Sequence, residues 1–392
     1  KKMNDNTLAK TLNILEELIG FDTVALTPNL DLINYAEKYL SDLGARIILT
    51  HSSDGERANL FASFGPEIDG GIVLSGHSDV VPVNAADWVT PPFQADQRDG
   101  CIFGRGTADM KGFIACVLAM APWFASLDLI KPLHIALTFD EEDGFHGAPI
   151  LLDDLREKNI KPDAVIIGEP TGLEAIAAHK GCYEYATTIK GLNGHSSEPG
   201  KAVNAVQYAV RFINRLMELT EEMTSRAPHD SPYQPPSTTM SVGTIQGGQA
   251  RCVVAEHCKF DWEMRPIQRS DAVYVHEQLS AFSEQLLSEM REIHPDASIE
   301  TERVCEVDGL EYEEDSAALS LMATLLEKSD FDVVSYGTEA GLYQAAGMPA
   351  VVWGPGDIEV AHKPDEFVKI SDLEICLSVL ERLGQEVLTK TD

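Results

Sequence analysis

A short apolar run, Ile72-Val73-Leu74, stops at Ser75-Gly76 and gives way at once to His77-Ser78-Asp79. Such a run is consistent with a buried strand, and the glycine marks where it ends. Residues two apart in extended chain point the same way, so His77 and Asp79 share a face. A histidine beside a carboxylate suits a metal ligand whose second ring nitrogen that carboxylate holds. The same punctuation recurs down the chain. Residues 133–139 run into Asp140-Glu141-Glu142, and residues 164–167 into Gly168-Glu169-Pro170. Residues 350–353 run into Gly354-Pro355-Gly356, with His362 soon after. Asp109 lies in a glycine-rich loop just ahead of an apolar helix spanning 113–124.

Helical patterns separate these runs. Residues 7–19 read as an amphipathic helix, residues 30–43 as a second with Asn29 as its N-cap, and residues 148–158 as another. Residues 46–50 and 60–64 read as strands. Strands alternating with helices at this spacing predict an α/β fold with a largely parallel sheet. Ligands gather at the carboxyl ends of strands in such sheets. His77, Asp109, Glu142, Glu169 and His362 can therefore converge although they are distant in sequence.

The character changes after Cys182. Residues 183–191 alternate as a strand, 203–219 form a long helix, and 225–236 are a loop rich in proline and serine. Strands at 238–245 and 257–265, a helix at 270–293 and a strand at 298–304 complete an inserted α+β domain. A chain of 392 residues exceeds one compact core. The expected division is 1–182 with 305–392 as a catalytic metal-binding domain, and 183–304 as an insertion.

Composition narrows the function. Net charge is −33, from 63 acidic and 30 basic side chains, which argues against a nucleic-acid partner. The N-terminus has no apolar core of signal-peptide type, and no stretch is read as approaching membrane-spanning length. Seven cysteines without a CxxC pair predict reduced thiols in a cytoplasmic protein rather than a disulfide framework. Zinc held through sulfur is not expected for the same reason.

Two histidines and three carboxylates without a thiolate suit a pair of divalent ions, zinc first, with cobalt or manganese able to serve. One carboxylate can bridge the pair. Ions ~3.5–4 Å apart can activate a water and polarise a carbonyl. A further, unligated carboxylate must then move the proton. Glu141 is the candidate, because neighbouring side chains diverge and Glu142 can bind metal while Glu141 faces substrate. Any one such residue alone is more often structural or solvated; five at strand ends point to a site. His51, His134, His229 and His294 read as surface or structural residues, and His146 and His179 as minor supporting ones.

GHSDVVPV with Trp88 and Phe93 after it, GRGTADMKG, DEEDG, GEPT, GHSSEP and GTEAG with AHKPDEF together resemble the dinuclear zinc aminoacylase/carboxypeptidase family. That family includes acetylornithine deacetylase, succinyl-diaminopimelate desuccinylase and glutamate carboxypeptidase. The likeness spans nearly the whole chain. It implies that His77, Asp109 as the bridge, Glu142, Glu169 and His362 hold two metal ions. It implies further that Asp79 orients His77 and that Glu141 is general base and acid. The insertion resembles the family's lid and dimerisation domain, which implies a homodimer. His195 matches a residue that in the family reaches the neighbouring subunit's site and stabilises an oxyanion, a donor role of large catalytic weight.

Substrate choice follows from finer likenesses. Arg265 resembles the arginine that holds a substrate carboxylate, which its planar fork suits. Glu339 in GTEAG resembles the deacetylase branch, where the desuccinylase has a serine-containing GTSDG. A carboxylate there can meet a cationic side chain such as ornithine's. The resemblance implies hydrolysis of an N-acyl amino acid, with N2-acetyl-L-ornithine to ornithine and acetate, a step of arginine biosynthesis, foremost. Succinyl-diaminopimelate, or a glutamate-terminated or dipeptide substrate, is the alternative. Two departures stand out: Cys252 and Ala255 occupy positions where the family has Asn and Pro, and Asp143 stands where an apolar residue is usual.

Overall fold

The structure, a computed structural model, describes residues 6–390. In chain order its main elements are α1 (Thr7–Gly20), α2 (Leu30–Ser41), β1 (Arg46–His51), β2 (Ala58–Phe64), β3 (Ile72–His77), β4 (Asp96–Arg98) and β5 (Cys101–Phe103). Next come α3 (Gly112–Ala125), β6 (Leu133–Thr138), α4 (Gly147–Glu157), β7 (Ala164–Ile167), β8 (Ile176–His179) and β9 (Cys182–Lys190). Then follow α5 (Ala205–Arg226), β10 (Thr239–Gly247), β11 (His257–Arg265), α6 (Arg269–Ile293) and β12 (Ser298–Val307). The chain closes with α7 (Ala317–Leu326), β13 (Asp332–Val334), α8 (Ala340–Ala345), β14 (Ala350–Val352), β15 (Phe367–Lys369) and α9 (Ile370–Arg382).

The chain divides into two compact units, Lys1–Ala178 with Tyr312–Asp332 and Thr338–Asp392, and His179–Glu311 with Val333–Gly337. The outer ends of the first unit, residues 1–5 and 391–392, lie outside the described residues. The first unit is built on a mixed eight-stranded sheet in the order β1-β2-β6-β3-β7-β14-β8-β13. Its middle is parallel: β3 pairs with β6 and β7, and β7 with β14. Antiparallel pairs flank it at β1, β2 and β8. The α/β architecture expected from alternating runs is thus the one observed. Parallel pairing also sets the carboxyl ends of β3, β6, β7 and β14 side by side, with His77 opposite Thr138.

Packing, more than local propensity, holds the central helix. α3 has no side-chain cap and carries Pro122 within it. Phe113, Ile114, Val117, Leu118, Met120 and Phe124 are all buried, at about 1.5–3 kcal/mol each, against about 1 kcal/mol for a missing cap. Thr107–Ala125 is in fact long and apolar enough to cross a membrane, which corrects the expectation that no stretch approached that length. It is instead a core helix, packed among the buried side chains of α1, α9 and the sheet. Asn29 is not the cap expected of it: its side chain has no cap bond and instead bonds the Ala58 backbone and Ser78 Oγ. β8 was not legible, because a four-residue Ile-Ala-Ala-His run carries too little pattern.

A three-stranded sheet, β15-β5-β4, lays Phe367 against Phe103. The second unit is an antiparallel sheet, β10-β11-β9-β12. Tyr183 and Tyr185 of β9 and Phe260, Trp262 and Met264 of β11 share its core with Phe212, Leu216, Val275 and Leu279 of α5 and α6. α5 starts at Ala205 because Asn204 accepts bonds from the amides of Val206 and Gln207. It runs past the expected end at 219 because Met223 continues the buried stripe begun by Leu216 and Leu219.

Candidate metal centre

At the carboxyl edge of the parallel strands, Asp109 lies between two imidazoles. Its Oδ1 is 3.0 Å from His77 Nε2 and its Oδ2 is 3.2 Å from His362 Nε2. Glu142 reaches the same His362 nitrogen at 3.0 Å, and Glu169 Oε1 is 3.7 Å from His77 Nε2. Glu141 offers an oxygen within 4.8 Å of the donor atoms of His77 and Glu169. His77, Asp79, Asp109, Glu141 and Glu169 are all buried. The structure therefore brings together the residues expected to hold metal, with a histidine and a carboxylate on each side of Asp109.

Local backbone explains the convergence. Asp140 and His362 both have positive φ, 52° and 62°, a left-handed conformation that Asp and His tolerate better than most residues. One turns the chain out of β6 into Glu141 and Glu142; the other presents the second imidazole. Gly168 precedes Glu169, and a Cβ there would lie 2.0 Å from Phe113 Cδ1. Asp79 does two things. Its backbone oxygen takes His77 Nδ1 at 2.9 Å, which leaves Nε2 facing the carboxylates. Its carboxylate lies 3.6 Å from His77 Nδ1 and accepts the amides of Glu141 at 3.1 Å and Glu142 at 3.0 Å. The resemblance implies that Asp79 orients the ring; its carbonyl makes the shorter contact.

Glu366 is a residue that the sequence pattern does not single out. Its Oε1 accepts the amides of Ala108 at 2.9 Å and Asp109 at 3.0 Å, and its Oε2 accepts Gly106 N at 3.1 Å and Arg105 Nη1 at 2.7 Å. It is thus the inner support of the loop that presents Asp109. The only sequence signal was an acidic residue four places after His362. Glu366→Ala leaves three amides without their acceptor and the buried Arg105 guanidinium without its counter-charge, so a loss of about 3–5 kcal/mol in stability is expected, with lowered metal content. Urea unfolding and metal analysis would check this; a variant as stable as the parent would refute it.

The electrostatics test whether these side chains fit metal ions. Burial, then the charge of Asp109, raises Glu142 to about 7. Burial and neighbouring carboxylates push Glu141 and Glu169 well above their ordinary value. Burial opposes charge on His77, yet its bonds to Asp109 and Asp79 hold it well above normal. Hydrogen bonds to Asp109 and Glu142 raise His362 to about 10. Glu169 Oε1 is buried without a hydrogen-bond partner. Crowded carboxylates with an unbonded oxygen and hard O/N donors fit divalent cations well.

A pH dependence follows for protein stripped of metal by a chelator. Raised folded-state values mean the folded chain holds protons more tightly than the unfolded one. The contribution of Glu142 is complete below 4.5 and lost as pH rises through about 7; that of His362 is complete below 6.5 and lost through about 10. His134, His179, Lys111 and Lys180, whose proton affinity burial lowers, push the other way but do so in both forms. The urea midpoint of chelated protein should therefore drop relative to that of metal-loaded protein from about pH 5 to about pH 9. A gap between the two forms that does not widen over that range would contradict this.

Glu339 is 1% exposed; Thr138 Oγ1 donates to its Oε2 at 3.0 Å, and its Oε1 has no hydrogen-bond partner. Burial raises it to about 7. In the second unit, Arg265 turns Nε and Nη2 toward one oxygen of Glu263, at 3.1 and 2.9 Å. His195 is exposed, and its Nδ1 accepts the Ser197 amide at 3.2 Å. That bond places the ring proton on Nε2, where it can be donated. Cys252 is exposed and its carbonyl takes the Ser196 amide at 3.1 Å, so the departing segment is tied to the His195 loop. His134 stacks on Phe61 and contacts Ser63 Oγ at 2.7 Å, as a structural residue should.

Comparison with known proteins adds to this geometry. The model of Peptidase family M20/M25/M40 matches residues 73–386. A relative from Myxococcus xanthus named acetylornithine deacetylase is 36% identical over 385 residues, covering 96% of this chain and 97% of its own. Among solved structures, an M20 family metallo-carboxypeptidase from Sulfolobus solfataricus superposes with a TM-score of 0.74 at 17% identity, covering 97% of this chain and 99% of its own. A Bacillus subtilis protein described as a dinuclear metal-binding peptidase of the M20 family superposes at 0.61 and 13% identity, covering 97% and 98%. These two structures speak to the fold.

Proposed function

Since this chain belongs to Peptidase family M20/M25/M40 and is a metal-dependent hydrolase of that family, we propose that it cleaves N-acyl amino acids, N2-acetyl-L-ornithine foremost. The observation that carries the reading is Asp109 flanked by His77 and His362, with Glu169 and Glu142 beyond them. Those five side chains would hold two divalent ions, zinc first and cobalt or manganese as alternatives. When bound, the ions supply an activated water and a polarised acyl carbonyl.

The chain's own residues do the rest. Glu141 sits beside the cluster with a raised affinity for protons. It takes a proton at a carboxylate oxygen and returns it to the leaving nitrogen, as a general base and then acid. Asp79 holds Glu141 and Glu142 by their amides. His195 reaches the neighbouring subunit's site and donates Nε2–H to an oxyanion there, and Arg265 clamps the substrate's carboxylate. The unpartnered Oε1 of Glu339 receives the side-chain ammonium. The insertion, 183–304, serves as a lid and as the surface through which a homodimer forms, in a cytoplasmic enzyme of arginine biosynthesis.

The test is a panel on metal-loaded protein: N-acetylornithine, N-succinyl-diaminopimelate, a dipeptide, a glutamate-terminated peptide, and N-acetylnorleucine, which swaps the ammonium for a methyl group. The highest kcat/KM is expected for acetylornithine. Glu339→Gln should narrow its lead over acetylnorleucine by about tenfold or more, since a charge-assisted bond is worth ~1.5–3 kcal/mol. Preference for the succinylated or glutamate-terminated substrate would overturn the acetylornithine reading.

A further inference from the structure

The second unit holds another group of ligand-type side chains. Cys182 and Glu184 are two apart on β9, so they share a face. Cys305 of β12 pairs directly across from Glu184 and projects to that same face. The two sulfurs and a Glu184 oxygen lie within 4.8 Å of one another, with Cys182 Sγ 3.9 Å from Glu184 Oε1. Tyr183, Tyr185, Phe260 and Trp262 point the other way, into the core with α5 and α6, so the three donors occupy the face opposite the helices.

We propose that Cys182, Glu184 and Cys305 form a second metal site for a single thiophilic divalent cation of the zinc type. Two strand neighbours and one cross-strand partner form a tripod and leave the fourth tetrahedral position to solvent. Bonds of ~2.3 Å to sulfur and ~2.0 Å to oxygen at a tetrahedral angle separate those donors by about 3.5 Å, so only a small contraction is needed. Binding two thiolates, a carboxylate and a divalent ion leaves one net negative charge, and two thiol protons pass to solvent. Arg265, one residue beyond the last β11–β9 pair and already bonded to Glu263, lies within charge-interaction range of Cys182. Glu184, though neither cysteine, also lines a cavity of about 570 Å³ with Glu263 and Glu302 on this face. The site differs chemically from the Asp109 cluster, which has no thiolate.

Cobalt(II) separates the two. Reduced, metal-free full-length protein titrated with cobalt(II) should bind beyond two equivalents and develop an intense near-ultraviolet sulfur-to-cobalt charge-transfer band. Cys305→Ser should abolish that band and one equivalent, and Glu184→Gln should weaken binding at least tenfold. The weaker visible bands of the Asp109 cluster should persist in both. No charge-transfer band in the parent protein overturns the proposal without recourse to any variant. A band that survives Cys305→Ser overturns it too, by assigning the sulfur to another cysteine such as the exposed Cys252. Loss of the visible bands alone counts against the Asp109 cluster and leaves this site standing.

Discussion

Glu141→Gln is expected to keep the metal content of the protein while cutting turnover by about two to four orders of magnitude, the usual weight of a positioned acid–base group. Gln preserves size and burial but cannot take a proton and hand it back. Glu141 lies close enough to His77 and Glu169 to be a ligand instead, so metal analysis decides between the roles. Loss of metal along with activity would make Glu141 a ligand, and full activity would remove it from the chemistry altogether. Neither outcome touches the fold, because the Glu141 amide that Asp79 holds is unchanged by the substitution.

Asp109→Ala should be the most damaging single change. Asp109 contacts both imidazoles, one through each oxygen, so its loss removes a ligand from each proposed ion at once. The ions held by the His77–His362 cluster should number fewer than two. Metal ions are worth several kcal/mol of transition-state stabilisation, so kcat/KM should fall about a thousandfold or more, at ~1.4 kcal/mol per tenfold. Asp109→Asn is the sterically matched control and should fail in the same way, because one of its two contacts becomes an NH₂ donor. Two ions still tightly bound by that cluster in either variant, counted with Cys305→Ser in the same chain to remove the thiolate site, would rule out the bridging role.

Much of this was legible in the chain. Apolar runs that end in Gly, Asp, Glu or His mark where strands stop, and the stop is where a parallel sheet places ligands. β7 was bounded to the residue, because a run of four apolar residues between Asp163 and Gly168 leaves no other choice. The helix at Asn29 shows the opposite case: an N-cap pattern was present, but a buried demand from the Ala58 backbone and Ser78 won the side chain. Thr107–Ala125 has the length and apolarity of a span, and only its surroundings say that it is a core helix.

Local pattern alone marked the candidate residues: two imidazoles, their carboxylates and a further acid, at strand ends or in the loops that follow them. It could do so because period and punctuation are properties of neighbouring residues. The resemblance already named Asp109 as the bridge; only the tertiary structure showed that Glu366 braces its loop and that Cys182, Glu184 and Cys305 meet with no CxxC to announce them. Those facts depend on strand order and register, which are set by burial and backbone pairing across hundreds of residues and leave no trace in any short stretch of sequence.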